Sequence, residues 1–112
     1  MVKAYIPDRK DIIWLMFTPQ AGHEQMGRRP ALVLSPKKYN EKTSLAIVCP
    51  ITSKIKGYPF EVVIESKKMN GAVLSDQIKS LDWKERKAEY IEKIDDEIFE
   101  EVISKIKVLV IE

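Results

Sequence analysis

The sequence predicts a mainly β fold, a small barrel of five to seven short strands followed by one C-terminal helix. Three observations carry that reading. Apolar, β-rich runs of five to nine residues recur before Asp95, each fenced by Pro, Gly or a polar turn. The connections between them are too short for the crossover helices that parallel strands need. Helical spacing of apolar residues begins only after Asp95, at Ile98, Phe99, Val102, Ile103 and Ile106.

Taken in order, residues 5–10 form a polar lead-in and residues 11–17 a first strand. Trp14 and Phe17 have opposite parity in it, so their rings face opposite sides of the sheet. Phe17 borders a polar loop, where a strand aromatic either packs into the core or stacks a nucleobase. A second strand covers residues 30–35, and residues 35–43 form a turn-rich basic connector. Residues 44–51 give a third strand closed by Pro50, with Cys49 inside it as a small buried hydrophobe. The hydroxyls of Thr52 and Ser53 follow, then a basic loop over residues 54–59. In that loop Lys54, Lys56 and Tyr58 resemble a short electrostatic and stacking surface for a single nucleic-acid strand.

A fourth strand spans residues 60–64, and Asn70-Gly71 supplies a hairpin turn. Residues 73–81 and 87–94 complete the strands, joined by a charged connection. Asp95-Asp96-Glu97 provides an N-cap and an acidic first turn that suits the helix dipole. Val108-Leu109-Val110-Ile111 is too apolar to be left in water and either closes the core or forms a subunit contact.

With 112 residues, the chain fits one domain, residues 1–112, with a single core. No apolar run approaches the roughly 18 to 20 residues of a membrane span. Residues 1–8 lack the apolar stretch of a signal peptide, so the expected location is the cytoplasm and no membrane partner is expected. One Cys and one His supply neither an internal disulfide nor a zinc ligand set, so no metal or cofactor is expected. The net charge of +2 divides unevenly: residues 1–60 hold 10 Lys/Arg against 4 Asp/Glu, and residues 61–112 hold 9 against 13. A basic half attracts phosphate polyanions.

That half contains Gly22-His23-Glu24-Gln25-Met26-Gly27-Arg28-Arg29-Pro30, a polar loop between two apolar strands. Pro30 restricts Arg29 to extended backbone, which fixes the guanidinium where the second strand begins. Any one of these charges alone is most simply a surface ion pair of little energetic value. Their combination points to chemistry.

Eight short motifs then occur in order: Tyr5-x-Pro7-Asp8, Asp11-x-Ile13-Trp14, Gly22-x-Glu24-Gln25-x-Gly27-x-Arg29-Pro30, Leu34-Ser35-Pro36, Tyr39-Asn40-x-Lys42-Thr43, Thr52, Lys56-Gly57-Tyr58-Pro59-Phe60-Glu61-Val62 and Asp76-Gln77-x-Lys79-Ser80. Together they resemble the MazF/PemK family, toxins of type II toxin–antitoxin systems, over nearly the whole chain. The resemblance implies an SH3-like barrel of the CcdB/MazF type, a homodimer, and sequence-specific, ribosome-independent cleavage of single-stranded RNA. It also implies inhibition by a MazE-like antitoxin whose acidic, flexible C-terminal segment lies along a basic groove. Carried over by position, Arg29 and Thr52 are the catalytic pair and Glu24 supports them. Lys56 and Gln77 contact RNA, with Phe17 and Lys79 as further contacts, while His23 and Arg28 bear on base preference.

The residues suit attack by the substrate's own 2′-OH on the adjacent phosphorus, giving 2′,3′-cyclic phosphate and 5′-OH ends. Arg29 offers fixed, permanently charged donors to phosphate oxygens. Glu24 is the better proton-transfer group, with His23 as a second candidate. Thr52 donates to a phosphate oxygen and holds it in line. Two other readings are a CcdB-like topoisomerase poison and an RNA-binding module without catalysis. The first needs a Trp near the chain end, whereas Trp14 and Trp83 lie elsewhere; the second does not need Glu24, Arg29 and Thr52 together.

Overall fold

A computed structural model describes residues 4–17 and 27–111. Its elements are β1 (Asp11–Met16), β2 (Arg28–Val33), α1 (Lys37–Thr43), β3 (Leu45–Thr52), β4 (Glu61–Glu65), β5 (Asn70–Leu74), β6 (Lys79–Asp82), β7 (Glu89–Lys93) and α2 (Asp96–Val110). The strands pair antiparallel in the order β4-β5-β3-β2-β1-β7. One edge of β3 is shared: residues 45–48 pair with β6 and residues 51–52 with β5. The handover falls at Cys49-Pro50, where the proline has no N–H to give a ladder.

Strand alternation sorts the apolar side chains onto two faces. Ile12, Leu32, Cys49 and Ile51 pack with Val62 and Ile64 of β4, Ile91 of β7, and Phe99 and Val102 of α2. Strands from both ends of the sheet thus enclose one core, so the sheet curls, giving the mainly β architecture with a C-terminal helix that the sequence predicts. Ile13, Leu15, Phe17, Ala31, Val33, Ala46 and Val48 form a second cluster on the other face, covered by Tyr5, Ile6 and Trp83. Trp14 packs against the first cluster and Phe17 lies in the second, as their parity requires.

The lead-in is pinned by Asp11, which is almost wholly buried. Its carboxylate accepts from the Tyr5 hydroxyl at 2.5 Å and the Asp8 N–H at 3.0 Å, and pairs with Lys93 Nζ at 2.8 Å. Burial, then the Asp11 hydrogen bond, drives the Tyr5 phenol pKa far upward, so the phenol remains a donor.

Three expectations change, and one open alternative is decided. Residues 35–43 are not all connector: α1 forms there, with its Lys37 N–H capped by Asp8 Oδ1 at 2.9 Å. The buried Asn40 locks it in place, donating to the Pro7 carbonyl at 2.8 Å. The hairpin turn lies at residues 66–69, where Ser66 N–H donates to the Met69 carbonyl, and Asn70 and Gly71 belong to β5. The strand expected over residues 73–81 breaks at Ser75-Asp76, because β5 and β6 serve different halves of β3. Val108, Leu109, Val110 and Ile111 do not close the core, being 50–74% exposed at the end of α2.

Candidate functional site

The pairing of Ala31 with Pro50 fixes the register of β2 on β3. Two residues further along each strand stand Arg29 and Thr52, at the same sheet end and with the same parity. Arg29 is exposed and sits opposite Leu15 of β1, so the guanidinium rises from a paired strand. Thr52 is half-buried. Its Oγ1 accepts the Lys54 N–H at 3.1 Å, which leaves the hydroxyl hydrogen for an outside acceptor. Thr52 pairs with Ala72 of β5. A Cβ on the adjacent Gly71 would come within 2.5 Å of the Thr52 carbonyl oxygen, so only glycine fits there.

Two grooves adjoin this strand end. One, of about 380 Å³, is lined by Thr52, Lys54, Lys56, Tyr58, Glu61 and Gln77 together with Leu74. The other, of about 310 Å³, is bordered by Trp14, Arg28, Arg29 and Pro30, facing Ile51 of β3 and Ser53 just beyond it. Alternation along β3 sends Thr52 to the first groove and its two neighbours to the second.

The basic loop of the first groove is held from several directions. Glu61 Oε1 accepts the Lys56 N–H at 3.1 Å and the Gly57 N–H at 2.9 Å, and its own N–H donates to the Tyr58 carbonyl at 3.0 Å. Gly57 adopts φ +76°, a left-handed turn natural to glycine. Lys105 of α2 donates to the Pro59 carbonyl at 2.7 Å. The Tyr58 hydroxyl donates to Asp76, a bond that raises the phenol pKa and keeps it protonated at neutral pH. The loop therefore presents Lys54 and Lys56 from a fixed backbone.

Of the residues singled out in the sequence, Thr52, Lys56 and Gln77 share the first groove, and Arg28 and Arg29 border the second. The Arg28 guanidinium lies 5.2 Å from the Trp14 ring centroid and pairs with Glu89. Phe17 is corrected as a base-stacking contact: it is fully buried in the second core cluster and offers no ring face to a ligand. Lys79 Nζ lies 6.0 Å from the centroid of that ring. Glu24 and His23 lie outside the described residues. The described ends of that loop are joined by the Phe17 N–H bond to the Gly27 carbonyl at 2.8 Å, and Arg86 braces the same point through the Met16 carbonyl at 2.9 Å.

Glu61, Asp76 and Arg86 were not legible as site residues. Each acts on backbone or on another side chain, and a carboxylate four residues after a glycine in a basic loop was the one available signal.

A family model described as the PemK-like, MazF-like toxin of type II toxin–antitoxin systems matches residues 8–110. The chain is 44% identical over 110 residues to the endoribonuclease toxin MazF of Escherichia coli K12, covering 98% of this chain and 99% of that one. It belongs to the MazF/PemK family. Among solved structures, MazF of Deinococcus radiodurans superposes with a TM-score of 0.89 at 50% identity, covering 96% of this chain and 98% of the other. The MazE–MazF complex from the same organism gives a TM-score of 0.88 at 50% identity over 96% and 97%. In this MazF-like chain Thr52 opens on the basic groove and Arg29 borders the neighbouring one.

Proposed function

We propose that this chain is the endoribonuclease toxin of a type II toxin–antitoxin pair, cutting single-stranded RNA, including mRNA, at a short sequence without the ribosome. The observation that carries the reading is the position of Arg29 and Thr52 at one sheet end, beside a groove bearing Lys54 and Lys56. Relatives bearing the names MazF and PemK are endoribonucleases, which supports the same activity here.

In the reaction, the 2′-oxygen bonds to phosphorus as the bond from phosphorus to the 5′-oxygen breaks. One proton leaves the 2′-OH and another reaches the departing oxygen. Arg29 stabilises the charge that builds on the non-bridging oxygens. Thr52 donates its hydroxyl hydrogen to one of them and holds the phosphate in line. Glu24 is the group that serves proton transfer, with His23 as the second candidate. Lys56, Gln77 and Lys79 hold the strand, and Arg28 and His23 tune base preference. The nucleophile belongs to the substrate, so the scheme calls for no metal.

The MazE–MazF complexes of D. radiodurans support a MazE-like antitoxin as partner, with its acidic C-terminal segment along the basic groove. The toxin is a cytoplasmic homodimer, and the exposed apolar row at the end of α2 is available for a subunit contact. No helix among the described residues is long and apolar enough to cross a membrane.

The test is incubation with long mixed-sequence RNA in EDTA, beside DNA of the same sequence, followed by end mapping. Cleavage of RNA alone at a recurring short sequence, with cyclic-phosphate ends, is the expected result. RNA left intact by the wild-type protein overturns the enzyme reading.

A further inference from the structure

Three tyrosines on the described surface are substantially exposed: Tyr39, Tyr58 and Tyr90. Tyr90 leans on Tyr5, with ring centroids 5.7 Å apart, and Tyr39 lies on α1. Tyr58 alone lines the groove that holds Thr52, and it is 43% exposed there.

An aromatic side chain so exposed ordinarily keeps its rotamer freedom and loses it only when a ligand binds. Tyr58 has lost it already. Its hydroxyl is tied to Asp76, its ring edge meets Phe60 at 6.4 Å and 70°, and its carbonyl accepts the Glu61 N–H. Asp76 bears a cost for this arrangement, because its Oδ1 is buried with no hydrogen-bond partner among the described residues.

We propose that Tyr58 is a nucleobase platform, on whose ring one base of the bound strand stacks beside Thr52, and that Asp76 is the positioning residue that holds the ring. The inference rests on the RNA reading above and adds to it a base-binding residue. Lys54 and Lys56 line the same groove and take phosphates of the strand, so the groove combines charge and π-surface as single-strand sites do. Stacking is tolerant of base identity. Tyr58 therefore contributes affinity and register, and sequence choice falls to other residues.

The test uses a short RNA spanning the mapped cut site, 2′-O-methylated so that it binds without being cut, and a set carrying one abasic residue at each position. Tyr58→Ala is expected to weaken binding of the intact RNA by about 5- to 150-fold, the range for one base on one aromatic ring. The slope of affinity against salt stays unchanged, since no phosphate contact is lost. At one abasic position the wild type weakens by the same factor, and there the two proteins bind alike. Tyr58→Phe keeps the ring but loses the tether, so it gives an intermediate loss that Asp76→Ala matches and does not deepen in the double variant. Equal binding by wild type and Tyr58→Ala overturns the platform alone, as does a Tyr58→Ala loss that is uniform across the abasic set. Failure of the wild type to bind this RNA overturns the RNA reading and the platform with it.

Discussion

The most demanding single position is Arg29. A strand residue fixed by the following proline and paired across to Leu15 cannot swing away, so a truncated side chain has no ready substitute. Arg29→Ala is expected to lower the cleavage rate at least ~100-fold, the scale for removing one key stabiliser of transition-state charge. Single-turnover rates measured with saturating protein decide it, and a loss under threefold removes Arg29 from the mechanism. Arg29 and Thr52 stood out because each belongs to a motif of the family resemblance, one near the start of β2 and the other at the end of β3. Cys49 was likewise legible as packing: burial, then the Asp76 charge, pushes its thiol up to about 12, far from a nucleophile. Glu61 and Asp76 fall inside motifs too, but their partners, the loop N–H groups and the Tyr58 phenol, are fixed only by the folded chain, so their roles were not legible.

Between residues and domain, two contacts show what local patterns miss. α1 has seven residues and begins after Pro36, which supplies no side-chain cap; the cap comes from Asp8, 29 positions earlier. Asp8→Ala is expected to cost about 1 kcal/mol, as for a lost N-cap. Burial pushes the Asp8 carboxyl upward, but the N–H donors of Lys37 and Arg9 and the charges of Lys93 and Lys37 outweigh it, and the net pKa is lowered. Its contribution is therefore complete above the ordinary carboxylate range and disappears as pH falls through the lowered value. Urea unfolding at pH 7 and pH 3 checks this; an undiminished gap between variant and wild type in acid contradicts it. Gly71 is the second case. Asn-Gly reads as a turn, yet this glycine exists to let β5 pass within touching distance of the Thr52 carbonyl, a tertiary requirement. Gly71→Ala is expected to destabilise by roughly 1–3 kcal/mol as the strand shifts. Because the shifted atom belongs to Thr52, cleavage should fall further than the unfolded fraction accounts for. A variant with full specific activity per folded molecule refutes that link.

Across the whole molecule, charge and topology divide the labour in the same way. The basic excess of residues 1–60 and the acidic excess of residues 61–112 leave a net of +2, so attraction for RNA depends on local groups. With Arg29, Lys54, Lys56 and Lys79 on phosphates, log affinity against log salt is expected to fall with a slope of about −2 to −3. A slope near zero, measured by fluorescence anisotropy with uncut RNA, contradicts that assignment. The strand framework itself was legible, since Pro and Gly fences and β-rich runs mark it locally. The division of β3 between two partners was not, because pairing partners are chosen across the fold. That division has an evolutionary consequence. The gripping loop runs from the end of β3 to β4, whereas Arg29 stands on β2, with β3 pairing β2 on one edge and β5 on the other. Substitutions around Lys56, Tyr58 and Gln77 thus alter how tightly the strand is held without moving the guanidinium, and a lineage can retune its grip on RNA while Arg29 is inherited intact.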